Sequence, residues 1–132
     1  MKYLLSLYRE ESDWADVSPE DMRASMEPWN EFNRELVAAG AFVAGDALQP
    51  SATATRVDID GSGGRSVTDG PFAETKEQLG GYYLIECADL DQAIAWARKV
   101  PLTPPGTIEV RPVMDLSEFG YEDPGVRAGA AS

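Results

Sequence analysis

Histidine is absent from the 132 residues of this chain, and cysteine occurs once. Without histidine a serine or cysteine triad has no base, and a zinc or other soft-metal site loses its commonest ligand, so neither a metal nor a cofactor is expected. A lone Cys87 excludes an internal disulfide, and its apolar neighbourhood suits a buried, unreactive thiol. Basic residues are also scarce: 11 Lys and Arg against 23 Asp and Glu give a formal charge of −12. A surface of that sign repels phosphate backbones and anionic lipid, which argues against direct nucleic-acid or membrane binding. No apolar run approaches the ~20 residues that span a bilayer. The apolar part of residues 1–10 is too short for a signal peptide, so the expected compartment is the cytoplasm.

What is present fits one domain. A chain of this length buries roughly two-thirds of its unfolded surface, enough for a core without staples. Residues 2–8 alternate as a first strand, with Tyr3, Leu5 and Leu7 on one face and Leu4, Ser6 and Tyr8 on the other. The acidic residues 10–16 read as a loop. Ser18, Pro19 and Asp21 open a helix, since serine caps free amides, proline suits the first turn and aspartate favours the positive end of the dipole. Met22, Met26, Trp29, Phe32 or Asn33, and Leu36 form its buried stripe as far as Gly40, while Pro28 is expected to kink or split it.

Strands are expected at residues 41–48, 53–59 and 65–68, the last two joined by the glycine-rich tip at residues 60–64. The carboxylates Asp58 and Asp60 there look like the start of a calcium loop, but no bidentate acid follows, so a hairpin turn is preferred. After a polar connection, residues 82–87 form the next strand. Asp89 and Gln92 make a capping box for a helix carrying Ala93, Ile94, Trp96, Ala97 and Val100, which Pro101 stops. Residues 107–114 supply the last strand. The order is that of an α+β, ferredoxin-like βαβ-βαβ variant with an antiparallel sheet and helices on one face. The domain is placed at 1–115, with 116–132, containing Gly120, Pro124, Gly125 and Gly129, as a C-terminal tail or arm.

A sheet covered by helices on one face needs something on the other, commonly an identical sheet, so a homodimer is expected. Tyr83, Ile85, Cys87, Ile108, Val110 and Met114 are assigned to the helix side. Leu4, Ser6, Tyr8, Tyr82, Leu84, Glu86, Glu109 and Arg111 are left on the free face, which reads as an interface enclosing a small polar cleft. Arg111 there either binds a ligand or pairs across the interface with Glu86 or Glu109.

Asp69-Gly70-Pro71-Phe72 forms a rigid corner, in which Pro71 restrains Gly70 and Asp69 bonds nearby amides. Turn construction accounts for every residue of it; the functional alternative makes Asp69 a general base or polar anchor and Phe72 an apolar wall, with Lys76 or Arg65 as the partner cation. The candidate binding set is Tyr8, Asp69, Gly70, Pro71, Phe72, Glu86 and Arg111, with Asp69 as the candidate catalytic group.

This motif, together with the opening Met1-Lys2-Tyr3-Leu4-Leu5, the segment Gly45-Asp46-Ala47-Leu48-Gln49-Pro50 and Glu109-Val110-Arg111-Pro112-Val113, resembles the DGPF proteins of the YCII-related family. The resemblance implies a dimeric α/β barrel. Members of the wider group resemble small enzymes with a His–Asp pair whose histidine lies on the first helix; in this chain that place falls at Trp29, and Asp69 stands for the aspartate. The dyad is therefore incomplete, and any catalysis would be lyase- or isomerase-like proton transfer without it. The resemblance also implies a regulatory link, because DGPF genes often lie beside extracytoplasmic-function sigma factors. Two functions follow as expectations: a homodimeric small-molecule-binding protein or small enzyme, or a non-catalytic accessory protein.

Overall fold

Alternating apolar side chains start the sheet. In a computed structural model of the protein, which describes residues 1–11, 16–70 and 76–122, β1 (Lys2–Glu10) buries Tyr3, Leu5 and Leu7 on one face. The chain continues through α1 (Pro19–Ala38), β2 (Phe42–Ala47), β3 (Thr55–Ile59), β4 (Arg65–Asp69), β5 (Glu77–Glu86), α2 (Leu90–Lys99) and β6 (Gly106–Pro112). The main sheet has the order β2-β5-β1-β6 with every neighbouring pair antiparallel. That is the ferredoxin-like arrangement of two interleaved βαβ units. The strands β3 and β4 form a separate two-stranded hairpin inserted between β2 and β5.

The helix starts obey their local chemistry. Ser18 Oγ accepts from the Asp21 amide at 3.1 Å, and Asp89 Oδ1 accepts from the Gln92 amide at 3.0 Å while Gln92 Oε1 accepts from the Ala88 amide. Gly40 closes α1 with a φ of 70°, a left-handed conformation that favours glycine. The core lies between the helices and one sheet face: Leu5, Leu36 and Ile85 are fully buried, joined by Phe32, Tyr83, Ala93, Ala97 and Val100.

Several expectations need correcting. Residues 77–81 are not a connection but the first half of β5, because Arg9 and Glu10 extend β1 far enough to pair with Gln78 and Glu77. Pro28 does not split α1, which runs unbroken from residue 19 to 38. Its ring removes the hydrogen bond to Ala24, but both residues are exposed, so water can satisfy the freed carbonyl. Met114 lies beyond the end of β6 and is exposed rather than packed under a helix. The end of the acidic loop at 12–15, Pro71 and Phe72, and the tail from 123 onward, with Pro124, Gly125 and Gly129, lie outside the described residues. Leu116 to Glu122 carry a single short helical turn at Ser117–Phe119 closed by Gly120.

Candidate ligand-binding cleft

The apolar stripe of α1 divides along its length. Phe32 and Leu36 are buried, but Met22 and Trp29 are only half-buried and Met26 is exposed. The N-terminal half of the helix thus stands clear of the sheet, and the space beneath it is a cleft of about 1030 Å³. Its walls are Met22, Met26, Trp29 and Asn33 from α1, Leu7 and Arg9 from β1, Gly45 to Ala47 from β2, Gln78 and Gly80 to Tyr83 from β5, and Leu102 beyond α2. Volume and lining suit a small organic ligand, for which sites of ~300–1,000 Å³ with apolar walls and a few polar groups are usual.

Tyr83 shapes the middle of this cleft. Its ring meets Phe32 edge-on at 5.2 Å, and its hydroxyl donates to Asn33 Oδ1 at 2.6 Å. Burial pushes the phenol pKa above its ordinary value, so the group stays a neutral donor. Gly45 makes room for the ring, since a Cβ there would stand 2.9 Å from Tyr83 Cδ1 and 3.2 Å from the Tyr82 carbonyl oxygen.

A bulge decides what occupies the far end. Leu7 pairs with Gly81 but Tyr8 pairs with Leu79, so Gly80 is an extra residue that reverses the facing of β5 below it. Gln78 consequently lies opposite Arg9, and both line the cleft. Glu11 follows one residue past the end of β1 and also lines the cleft, but its carboxylate is engaged by Ser51, whose amide and hydroxyl donate at 2.7 and 2.9 Å.

The candidate residues from the sequence that the structure describes, Tyr8, Asp69, Gly70, Glu86 and Arg111, are not among those lining this cleft. Tyr8, Glu86 and Arg111 all belong to the free face, in the register anticipated, but they are strung along it. Tyr8 is four residues along β1 from Leu4, the partner of Arg111, and six from Lys2, the partner of Glu86. Those offsets correspond to ~13 and ~20 Å. Arg111 is paired within its own chain, with Glu109 Oε1 at 2.7 Å, and Glu86 lies 3.5 Å from the Met1 amine. Asp69 ends the separate hairpin, where it accepts from the Thr55 hydroxyl at 3.1 Å while the Gly70 amide donates to the Ala54 carbonyl. Arg65 is at the opposite end of that hairpin, across from Ile59. Asp60 accepts from the Ser62 amide, the Ser62 hydroxyl and the Gly64 amide, turn bonds that hold its carboxyl below the usual range.

Of the cleft residues, the sequence marks Trp29 as part of the buried helix stripe and as the place of the absent histidine, Asn33 as an alternative to Phe32 in that stripe, and Tyr83 as core; it assigns no role to Arg9 or Gln78. Continuing the alternation of Leu5 and Leu7 by one step puts Arg9 on the helix side, where a charged residue is out of pattern, so the sequence carries a signal for it. It carries none for the facing of Gln78, which depends on the bulge.

A family profile described as the YCII-related domain matches residues 1–117. The chain belongs to the YCII-related family. An uncharacterized protein of Rhizobium meliloti (strain 1021) is 40% identical over 115 residues, which cover 86% of this chain and 92% of that one. This YCII-related chain forms a ferredoxin-like α+β sheet, with tryptophan on the first helix lining the cleft. Among the described residues no cluster of acidic or cysteine side chains could hold a metal ion, and no helix is long and apolar enough to cross a membrane.

The free face carries one interaction with a measurable signature. Tyr82 donates to Asp46 Oδ2 at 2.8 Å, and that bond, reinforced by the carboxylate charge, raises the phenol pKa above its ordinary 10.0. A raised folded value means the bond contributes fully below about pH 10 and is lost as pH climbs through the higher value. In Asp46→Ala, one tyrosine is expected to ionise earlier in an absorbance titration; superimposable curves would show that the bond does not form in solution.

Proposed function

We propose that this YCII-related protein binds a small organic molecule in the cleft between α1 and the sheet, and works as a homodimer joined through the helix-free face. The cleft itself carries the reading. A helix that buried its whole apolar stripe would leave no such space; here Met22, Met26 and Trp29 line an opening instead. The Tyr83 and Asn33 pair supplies fixed polar atoms within it, and a neutral phenol bonded to a carboxamide favours holding a ligand over abstracting a proton. The dimer is supported by Leu4 and Leu84, which are directly opposed on a face that no helix covers.

The test is amide shift mapping with a fragment library. Compounds that bind should perturb Trp29, Asn33, Gly45 and Tyr83, and Trp29→Ala should weaken them by about tenfold or more through lost aromatic contact. Binders that shift only Ser6, Tyr8, Glu86 and Arg111 would put the site on the other face and overturn the assignment. A solution mass of one chain at every concentration would refute the dimer.

A further inference from the structure

We infer that the ligand of this cleft is an amphiphilic monocarboxylate whose anionic head is received by Arg9 and whose apolar body lies toward Trp29 and Tyr83. The inference rests on the reading of the cleft as a binding site and adds the chemical class. Its starting point is the burial of one cation. Arg34 pairs with Glu27 at 3.0 Å, Arg56 with Asp58 at 3.4 Å, Lys99 with Glu35 at 3.2 Å and Arg111 with Glu109 at 2.7 Å. Arg23, Arg65, Lys76 and Arg98 have no ion pair among the described residues, but they are exposed and water solvates them. Arg9 is half-buried and lines the cleft, yet its guanidinium has no hydrogen bond or ion pair among the described residues. The acid two residues on, Glu11, is held by the amide and hydroxyl of Ser51.

A guanidinium withdrawn from water without a partner is costly, and a carboxylate is the group its planar fork matches in two parallel hydrogen bonds. Two carboxylates share the cleft with Arg9, and each is engaged by donors of its own: Glu11 by the Ser51 amide and hydroxyl, Asp46 by the Tyr82 hydroxyl. Surface charges beyond ~8 Å are screened at physiological salt, whereas an ion paired against a half-buried guanidinium is screened much less. One guanidinium also matches one negative charge, which favours a monoanion over a phosphate dianion. The length of the ligand follows from register: Arg9 is four residues along β1 from Leu5, the partner of Tyr83, a distance of ~13 Å. A head at Arg9 and a body reaching Tyr83 therefore call for a bicyclic or comparably long apolar group.

Calorimetric titration of the full chain with naphthoate and its neutral isostere naphthamide tests the assignment. The expected result is an affinity for naphthoate about tenfold or more above that for naphthamide, a ratio that falls to about one in Arg9→Gln and to an intermediate value in Arg9→Lys, which keeps the charge but not the fork. Should Arg9→Gln fail to fold, the Arg9→Lys ratio and cleft amide shifts with naphthoate still decide. Equal binding of both probes in the wild-type protein overturns the carboxylate class while leaving the cleft as a site. If neither probe binds or perturbs Trp29 and Tyr83, the cleft reading fails and this inference with it.

Discussion

Gly45→Val is expected to destabilise the protein by roughly 1–3 kcal/mol, the range for forcing extra methyl groups into a filled site. The substitution acts at a place with no slack. A Cβ at residue 45 would stand 2.9 Å from Tyr83 Cδ1 and 3.2 Å from both Tyr83 Cε1 and the Tyr82 carbonyl oxygen. The ring could move only by losing its edge contact with Phe32 and its 2.6 Å hydrogen bond to Asn33; the carbonyl belongs to a central strand and cannot move alone. The urea midpoint should fall with an unchanged slope, and ligand binding should weaken in parallel because the same ring walls the cleft. A midpoint equal to wild type would mean that Tyr83 does not occupy this position.

Leu84→Glu should have the largest effect on assembly. Leu84 lies on the free face, opposite Leu4 on one side and Ala44 on the other, and is already half-buried within one chain. Covering a leucine fully contributes about 1.5–3 kcal/mol, and a two-fold interface uses it twice. Replacing it by a carboxylate removes that contribution and adds repulsion between copies that each carry −12. The proposed dimer should weaken by about a hundredfold or more, seen as a concentration-dependent mass shifted toward one chain. Wild-type association should strengthen with added salt, because screening relieves like-charge repulsion. If the variant and wild-type masses coincide at all concentrations, the copies do not meet on this face.

The two predictions concern opposite sides of one sheet. A free-face variant that dissociates the dimer should leave the cleft on the helix side intact unless a second copy contributes to it. Naphthoate titration of Leu84→Glu would therefore show whether ligand binding needs assembly.

Much of the architecture can be read from residue order alone. The alternation of residues 2–8, the Ser18-Pro19 helix start and the Asp89–Gln92 capping box are local signals, each depending on neighbours within a few positions, and each survives in the structure. The division of β1, β5 and β6 into a helix side and a free face is equally local, because side chains alternate along any strand. The cleft is different. It exists because half of α1 stands off the sheet while Phe32 and Leu36 dock, and periodicity treats both halves of that helix alike. The opposition of Gln78 to Arg9 follows from a one-residue bulge at Gly80, and the diversion of Glu11 depends on Ser51, 40 positions away in the chain. Local patterning thus settles most elements and their faces, but the first half of β5 and its facing depend on pairing with the end of β1, and the space between elements and the partners of its charges are likewise set by contacts distant in sequence, which no local pattern records.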